Sequence, residues 1–137
     1  MSGQNLITRE SMFEPLLQAD RSFAPLWRAF LEEWKDEREP PLYLALANAA
    51  RHLVGQLKAG DTEKFQAVFD VVERWHLEGD TYVRTAASLG LLEDLQNTSL
   101  HEGTSPTAFE PWLRPESRRW WNKVDGYWTR GESLADF

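Results

Sequence analysis

Glu73 and His76 stand three residues apart in a stretch of helical periodicity. This is the step by which carboxylate and imidazole project together into the core of di-iron carboxylate bundles. Such a centre needs a second step and two further glutamates. The other histidines do not supply it, because Ala49 and Thr98 stand three residues before His52 and His101. The pair therefore reads as an ordinary, partly exposed neighbour pair on a helix, and no metal site is expected. His52 lies one turn after Asn48 and one turn before Gln56, so the three form a polar seam on an otherwise apolar helix. The seam is either the wall of a small-ligand pocket or a histidine satisfied by hydrogen bonds at the core's edge; the second arrangement is the commoner. Glu93 and Asp94 are adjacent and point about 100° apart on a helix, a poor spacing for acid–base work on one substrate. No nucleophile elbow, phosphate-cradling glycine loop, dinucleotide fingerprint or His-Glu-x-x-His occurs, and the chain has no cysteine. These residues lean away from an enzyme, with no catalytic, cofactor-binding or metal-binding residue expected.

Two features suit binding instead. Glu32, Glu33, Asp36, Glu37 and Glu39 put five carboxylates within eight residues at the end of a helix. The plain reading is a solvated helix end, yet acids there oppose the macrodipole at a cost of a few tenths of a kcal/mol each. Residues that cost local stability are consistent with selection for a basic partner. The second feature is a helix carrying Trp120, Trp121 and Trp128, out of seven tryptophans in 137 residues. Their spacing suits the core, but three indoles on one small terminal helix also suit a partly exposed protein-binding face. The chain as a whole is acidic, with 22 Asp and Glu against 15 Lys and Arg and a net charge of −7. That balance argues against nucleic acid or an anionic membrane as partner. The basic set Arg114, Arg118, Arg119, Lys123 and Arg130 is read as neutralising the acidic helices within the molecule.

The elements that must position these residues are helices throughout. The expected fold is all-α: a compact stack of antiparallel helical hairpins, about six helices in one domain over 1–137. Met12, Phe13, Leu16 and Leu17 mark a short first helix ending near Asp20. Phe23, Leu26, Trp27, Phe30, Leu31 and Trp34 give the clearest amphipathic pattern, with Ser22 as N-cap and Pro25 in the first turn. The helix from Leu42 to Lys58 is apolar nearly all round and should sit centrally. Gly60 should end it in a left-handed C-cap and Asp61 should cap the next. Gly-Asp-Thr recurs at 79–81, so the same punctuation is expected before a helix over 82–96. Residues 97–107 read as a loop, and Pro115-Glu116 opens the last helix. The ends, 1–8 and 131–137, should fray. No secretory leader is apparent at the N-terminus, so the expected location is the cytoplasm.

Three of these elements carry a resemblance: the acidic aromatic helix Phe23–Trp34, the Leu42–Lys58 helix closing in Ala59-Gly60-Asp61, and Gly79-Asp80 ahead of Val83 to Leu95. The span from Phe23 to Gln96 resembles a family of small all-α bacterial proteins of unknown function. The resemblance implies a helical-hairpin fold with no assigned activity, and it leaves out the Trp112–Trp128 end. Such small acidic proteins are similar in kind to immunity proteins that neutralise bacterial toxins. Three function classes follow, in descending order of support. The first is a non-catalytic protein-binding module, specifically an immunity-type inhibitor of a basic toxin or nuclease. The second is a helical adaptor or self-associating protein using the Trp120–Trp128 face. The third is a small-ligand binder or enzyme with a pocket near Asn48, His52 and Gln56.

Overall fold

A computed structural model describes residues 6–132 of the chain, and among them it has seven α-helical segments and no strand. These are α1 (Phe13–Ala19), α2 (Ala24–Glu33), α3 (Leu42–Ala59), α4 (Phe65–Glu78), α5 (Thr81–Thr85), α6 (Glu93–Gln96) and α7 (Pro115–Arg130). A π-helical stretch, Ala86–Leu92, joins α5 to α6 without a break, so 81–96 is one rod and the all-α expectation holds. No helix among the described residues is long and apolar enough to cross a membrane.

The core forms where apolar faces converge. Phe65, Val68, Phe69, Val72 and Trp75 of α4 are wholly buried, as their spacing predicts. The centre, however, is the rod 81–96 rather than α3: the π-helical stretch packs against α3, α4 and α7. Its small residues Ala86, Ala87, Ser88 and Gly90 are buried and let neighbours approach on several sides. By contrast α3 buries Leu42, Ala45, Leu46, Ala49, Ala50 and Leu53 on one face and leaves Tyr43 and Leu44 exposed on the other. Uniform apolarity therefore overstated its burial. Leu26 and Leu31 of α2 are likewise exposed, and this helix is anchored by Phe23, Trp27 and Phe30, whose rings stack in series with Phe13.

The two Gly-Asp-Thr junctions work differently. Gly60 is left-handed, with φ 76°, and the amide of Asp61 donates to the carbonyl of Gln56 at 2.8 Å, closing α3. Asp61 does not cap α4, whose N-cap position is Lys64 without a side-chain bond. At the second junction Asp80 is a true cap, accepting from the amide of Val83 at 2.9 Å, while Gly79 is extended. Gly79 is needed for space: a Cβ there would lie 2.4 Å from the Trp75 carbonyl oxygen and 2.6 Å from Val83 Cγ1. Gly79→Ala should therefore destabilise the fold by about 1–3 kcal/mol, read from urea unfolding midpoints. An unchanged midpoint would show that the junction yields freely.

Of the expected fraying at 1–8, residues 1–5 lie outside the described residues, whereas Ile7 is tied down. Its amide donates to the Glu78 carbonyl at 2.8 Å, and its carbonyl accepts from the Asp80 amide at 2.9 Å. This bridge straps Ile7 against the second junction. At the other end the amide of Glu132 reaches the Gly126 carbonyl at 3.2 Å, so Gly131 and Glu132 close α7; the expectation of fraying at 133–137 lies outside the described residues. Ser22 is not the N-cap of α2. Asp20 takes that role for a 3-10 turn, Arg21–Phe23, which leads directly into the helix. The expected loop at 97–107 contains a 3-10 turn at Thr98–Leu100, and a second follows at Pro106–Trp112, setting Phe109 in the core.

Candidate functional site

The polar seam of α3 meets the α1–α2 junction. Asp20 is buried and accepts from the Ser22 amide at 3.0 Å, the Ser22 hydroxyl at 2.5 Å and Gln56 Nε2 at 3.0 Å. His52 Nε2 lies 2.8 Å from Ser22 Oγ and 3.6 Å from Asp20 Oδ2. Burial pushes the Asp20 carboxyl up, but hydrogen bonds from Ser22 and Gln56 and the charge of His52 together outweigh it and hold its pKa below the usual value. His52 and Gln56 thus come together, while Asn48 pairs with Arg51 of its own helix. A shallow depression of about 250 Å³ lies beside Asp20, Ser22 and Gln56. Local spacing marks Ser22 as a helix cap and Asp20 as a helix end and nothing more, because their links to α3 span 30 and 36 residues.

Glu73 and His76 form a second network, and His76 is buried rather than partly exposed. Glu73 accepts from the amides of Glu116 and Ser117 at 3.0 and 2.8 Å, satisfying the free N–H groups at the start of α7. His76 Nδ1 faces the Val72 carbonyl at 3.0 Å and Ser117 Oγ at 3.1 Å, and Nε2 lies 2.9 Å from Ser88 Oγ. Burial, opposed by the charge of Glu73, lowers the His76 pKa from 6.5 to about 4. With Ser88 and Ser117 fully buried, this serine–histidine grouping is a structural tie between α4, the π-helical stretch and α7. Among the described residues no three His, Asp or Glu side chains converge to hold a metal ion.

The binding candidates separate. Glu32, Glu33, Asp36, Glu37 and Glu39 are all exposed at the end of α2 and just beyond it. Glu32 accepts from Lys35 at 3.0 Å, and Glu39 lies 3.6 Å from Arg9. Of the three indoles on α7, Trp121 is in the core. Trp120 is half-buried, with the Arg119 guanidinium 4.7 Å and the Lys123 ammonium 5.4 Å from its ring centre. Trp128 is 63% exposed, and its Nε1 donates to Glu93 Oε2 at 2.9 Å. The broad indole face is therefore reduced to Trp128 and its neighbour Tyr127.

Trp128 stands at the mouth of a cleft of about 640 Å³, bounded by α6, the Pro106–Trp112 turn and α7. Four carboxylates line it: Glu93, Asp94, Glu110 and Asp125. Burial and the neighbouring charge of Glu93, opposed by Arg51, raise the Asp94 pKa from 3.8 to about 6. Asp125 and Trp128 share one face of α7 at i, i+3, which the sequence could have shown; the bond of Trp128 to Glu93 across 35 residues it could not.

No curated protein and no solved structure matches the chain. A family model described as Domain of unknown function (DUF7674) matches residues 13–129. The match runs from α1 to the last turn of α7 and so takes in the tryptophan-rich end that the Phe23–Gln96 resemblance left out. Matched over most of its length, the chain belongs to this family.

Proposed function

We propose that the chain is a non-catalytic protein-binding module that captures a basic partner through α2 and the acidic segment after it, as an immunity-type inhibitor would hold a basic toxin or nuclease. The observation that carries this reading is the exposed end of α2. Five carboxylates face solvent there, with Lys35 and Arg38 among them in the sequence and Arg9 beside Glu39, and no basic residue occupies the last turn of the helix. Leu26 and Leu31 are exposed on the same helix, and Leu26 precedes Glu33 by two turns on one face. Exposed leucines beside exposed carboxylates suit protein docking, and the negative field suits rapid association with a positively charged partner. The cytoplasm is the compartment this reading takes.

The test is the quadruple variant Glu32→Gln, Glu33→Gln, Asp36→Asn, Glu37→Gln, offered as bait beside the wild-type chain. Its affinity for the captured partner should fall about tenfold or more at low salt. Its folding stability should hold or rise by a few tenths of a kcal/mol, because acids at a helix C-terminus oppose the dipole. Undiminished binding by the variant would remove α2 from the interface.

A further inference from the structure

The cleft between α6, the Pro106–Trp112 turn and α7 has a composition that the docking role of α2 does not use. It is of the size that small molecules occupy. No lysine, arginine or histidine is among the residues lining it, whereas carboxylates line it from all three elements. Two of them have cations: Glu110 lies 3.9 Å from Arg118, and Asp125 lies 4.0 Å from Arg130. Glu93 and Asp94 are adjacent on α6, where burial first and the charge of Glu93 second raise the Asp94 pKa against the opposing charge of Arg51. The exposed indole of Trp128 supplies a flat apolar wall, and the bond to Glu93 steadies its ring. Gln96 donates to the Trp121 carbonyl at 2.8 Å, which leaves its Oε1 buried without a partner.

These features select among cations. A metal ion needs ligands that converge on one point, and among the described residues no three acids or histidines do so. Carboxylates dispersed around an aromatic trough instead match a flexible chain bearing separated ammonium groups, since alkyl segments lie on indole faces and ammonium groups are drawn to them. We propose that this cleft binds an aliphatic polyamine, with its ammonium groups set against Glu93, Asp94 and Asp125 and its methylene chain along Trp128. The site is separate from the α2 surface, so either can fail without the other.

Isothermal titration of the full chain with spermidine, at low ionic strength and pH 7.5 so that Asp94 is ionised, tests the assignment. Saturable one-to-one binding is expected. Trp128→Ala and Asp94→Asn should each weaken it about tenfold. Asp94→Asn should at the same time raise thermal stability, because it removes a half-buried charge; that opposition of signs separates a binding role from a structural one, and it keeps the test readable if Trp128→Ala fails to fold. Magnesium should compete poorly, as should a short lysine peptide. Absence of saturable heat, variants that bind as well as wild type, or displacement by magnesium would overturn the proposal. A lysine peptide that binds more tightly than spermidine would overturn it too, assigning the cleft to a protein side chain.

Discussion

Trp75→Ala should lower the unfolding free energy by about 3–5 kcal/mol, with a fall in Tm on the order of 10–20 °C. The indole is wholly buried, and its Nε1 donates to the Met12 carbonyl at 3.0 Å. Its ring meets Phe13 edge-on, with centroids 6.3 Å apart. Truncation therefore opens a cavity between α1 and α4 and orphans a backbone acceptor as well. The chain before α1 is also affected, because the Ile7 bridge lies at the C-terminal end of the helix that carries Trp75. Hydrogen exchange should consequently rise at Ile7 and Asp80 more than at α7. A loss of about 1 kcal/mol, typical of an ordinary substitution, would mean that the site collapses around the missing ring.

The second large effect is a dependence on pH. The folded chain holds His76 neutral down to about pH 4, whereas the unfolded chain protonates it near 6.5. Between those values the unfolded state binds more protons, so stability falls as pH falls. The His76 contribution is complete above pH 6.5 and lost by about pH 4, to the extent of about 3 kcal/mol. Asp94 acts in the opposite sense: its folded pKa near 6 exceeds the ordinary 3.8, so the folded state takes up the proton first and gains stability as pH falls through that window. Its side chain is only about half buried, so solvent screening makes this the smaller contribution. Urea unfolding of wild type and His76→Gln across pH 4 to 7 separates the two. The variant should be the less stable at neutral pH, through lost bonds to Ser88 and Ser117, and its curve should converge on the wild-type curve towards pH 4. Parallel curves would show that His76 titrates alike in both states.

Local signals were read well where one helix decides the outcome. The apolar face of α4, the left-handed Gly60 and the Pro115 start of α7 all follow from spacing and backbone preference within a few residues. What escaped is pairing across the chain. The identical Gly-Asp-Thr tripeptides take different roles because Trp75 and Val83 crowd Gly79, while Gly60 has open space. The rod 81–96 became the centre because its small residues admit neighbours from several sides, and only the assembled fold reveals that. The same limit applies at the candidate sites: Gln56 and His52 were visible, but Asp20, which draws them together, was not. The acidic run differs in kind. Its exposure was legible because carboxylates at a helix end have no stabilising place in a core.

The most direct test of the docking role is capture from a lysate of the source organism, with the purified chain as bait at low and high salt. One predominant basic protein should be retained at low salt and released at high salt, and the charge-neutralised α2 variant should fail to retain it. A partner that stays bound at high salt, and that the variant captures equally well, would contradict the docking role.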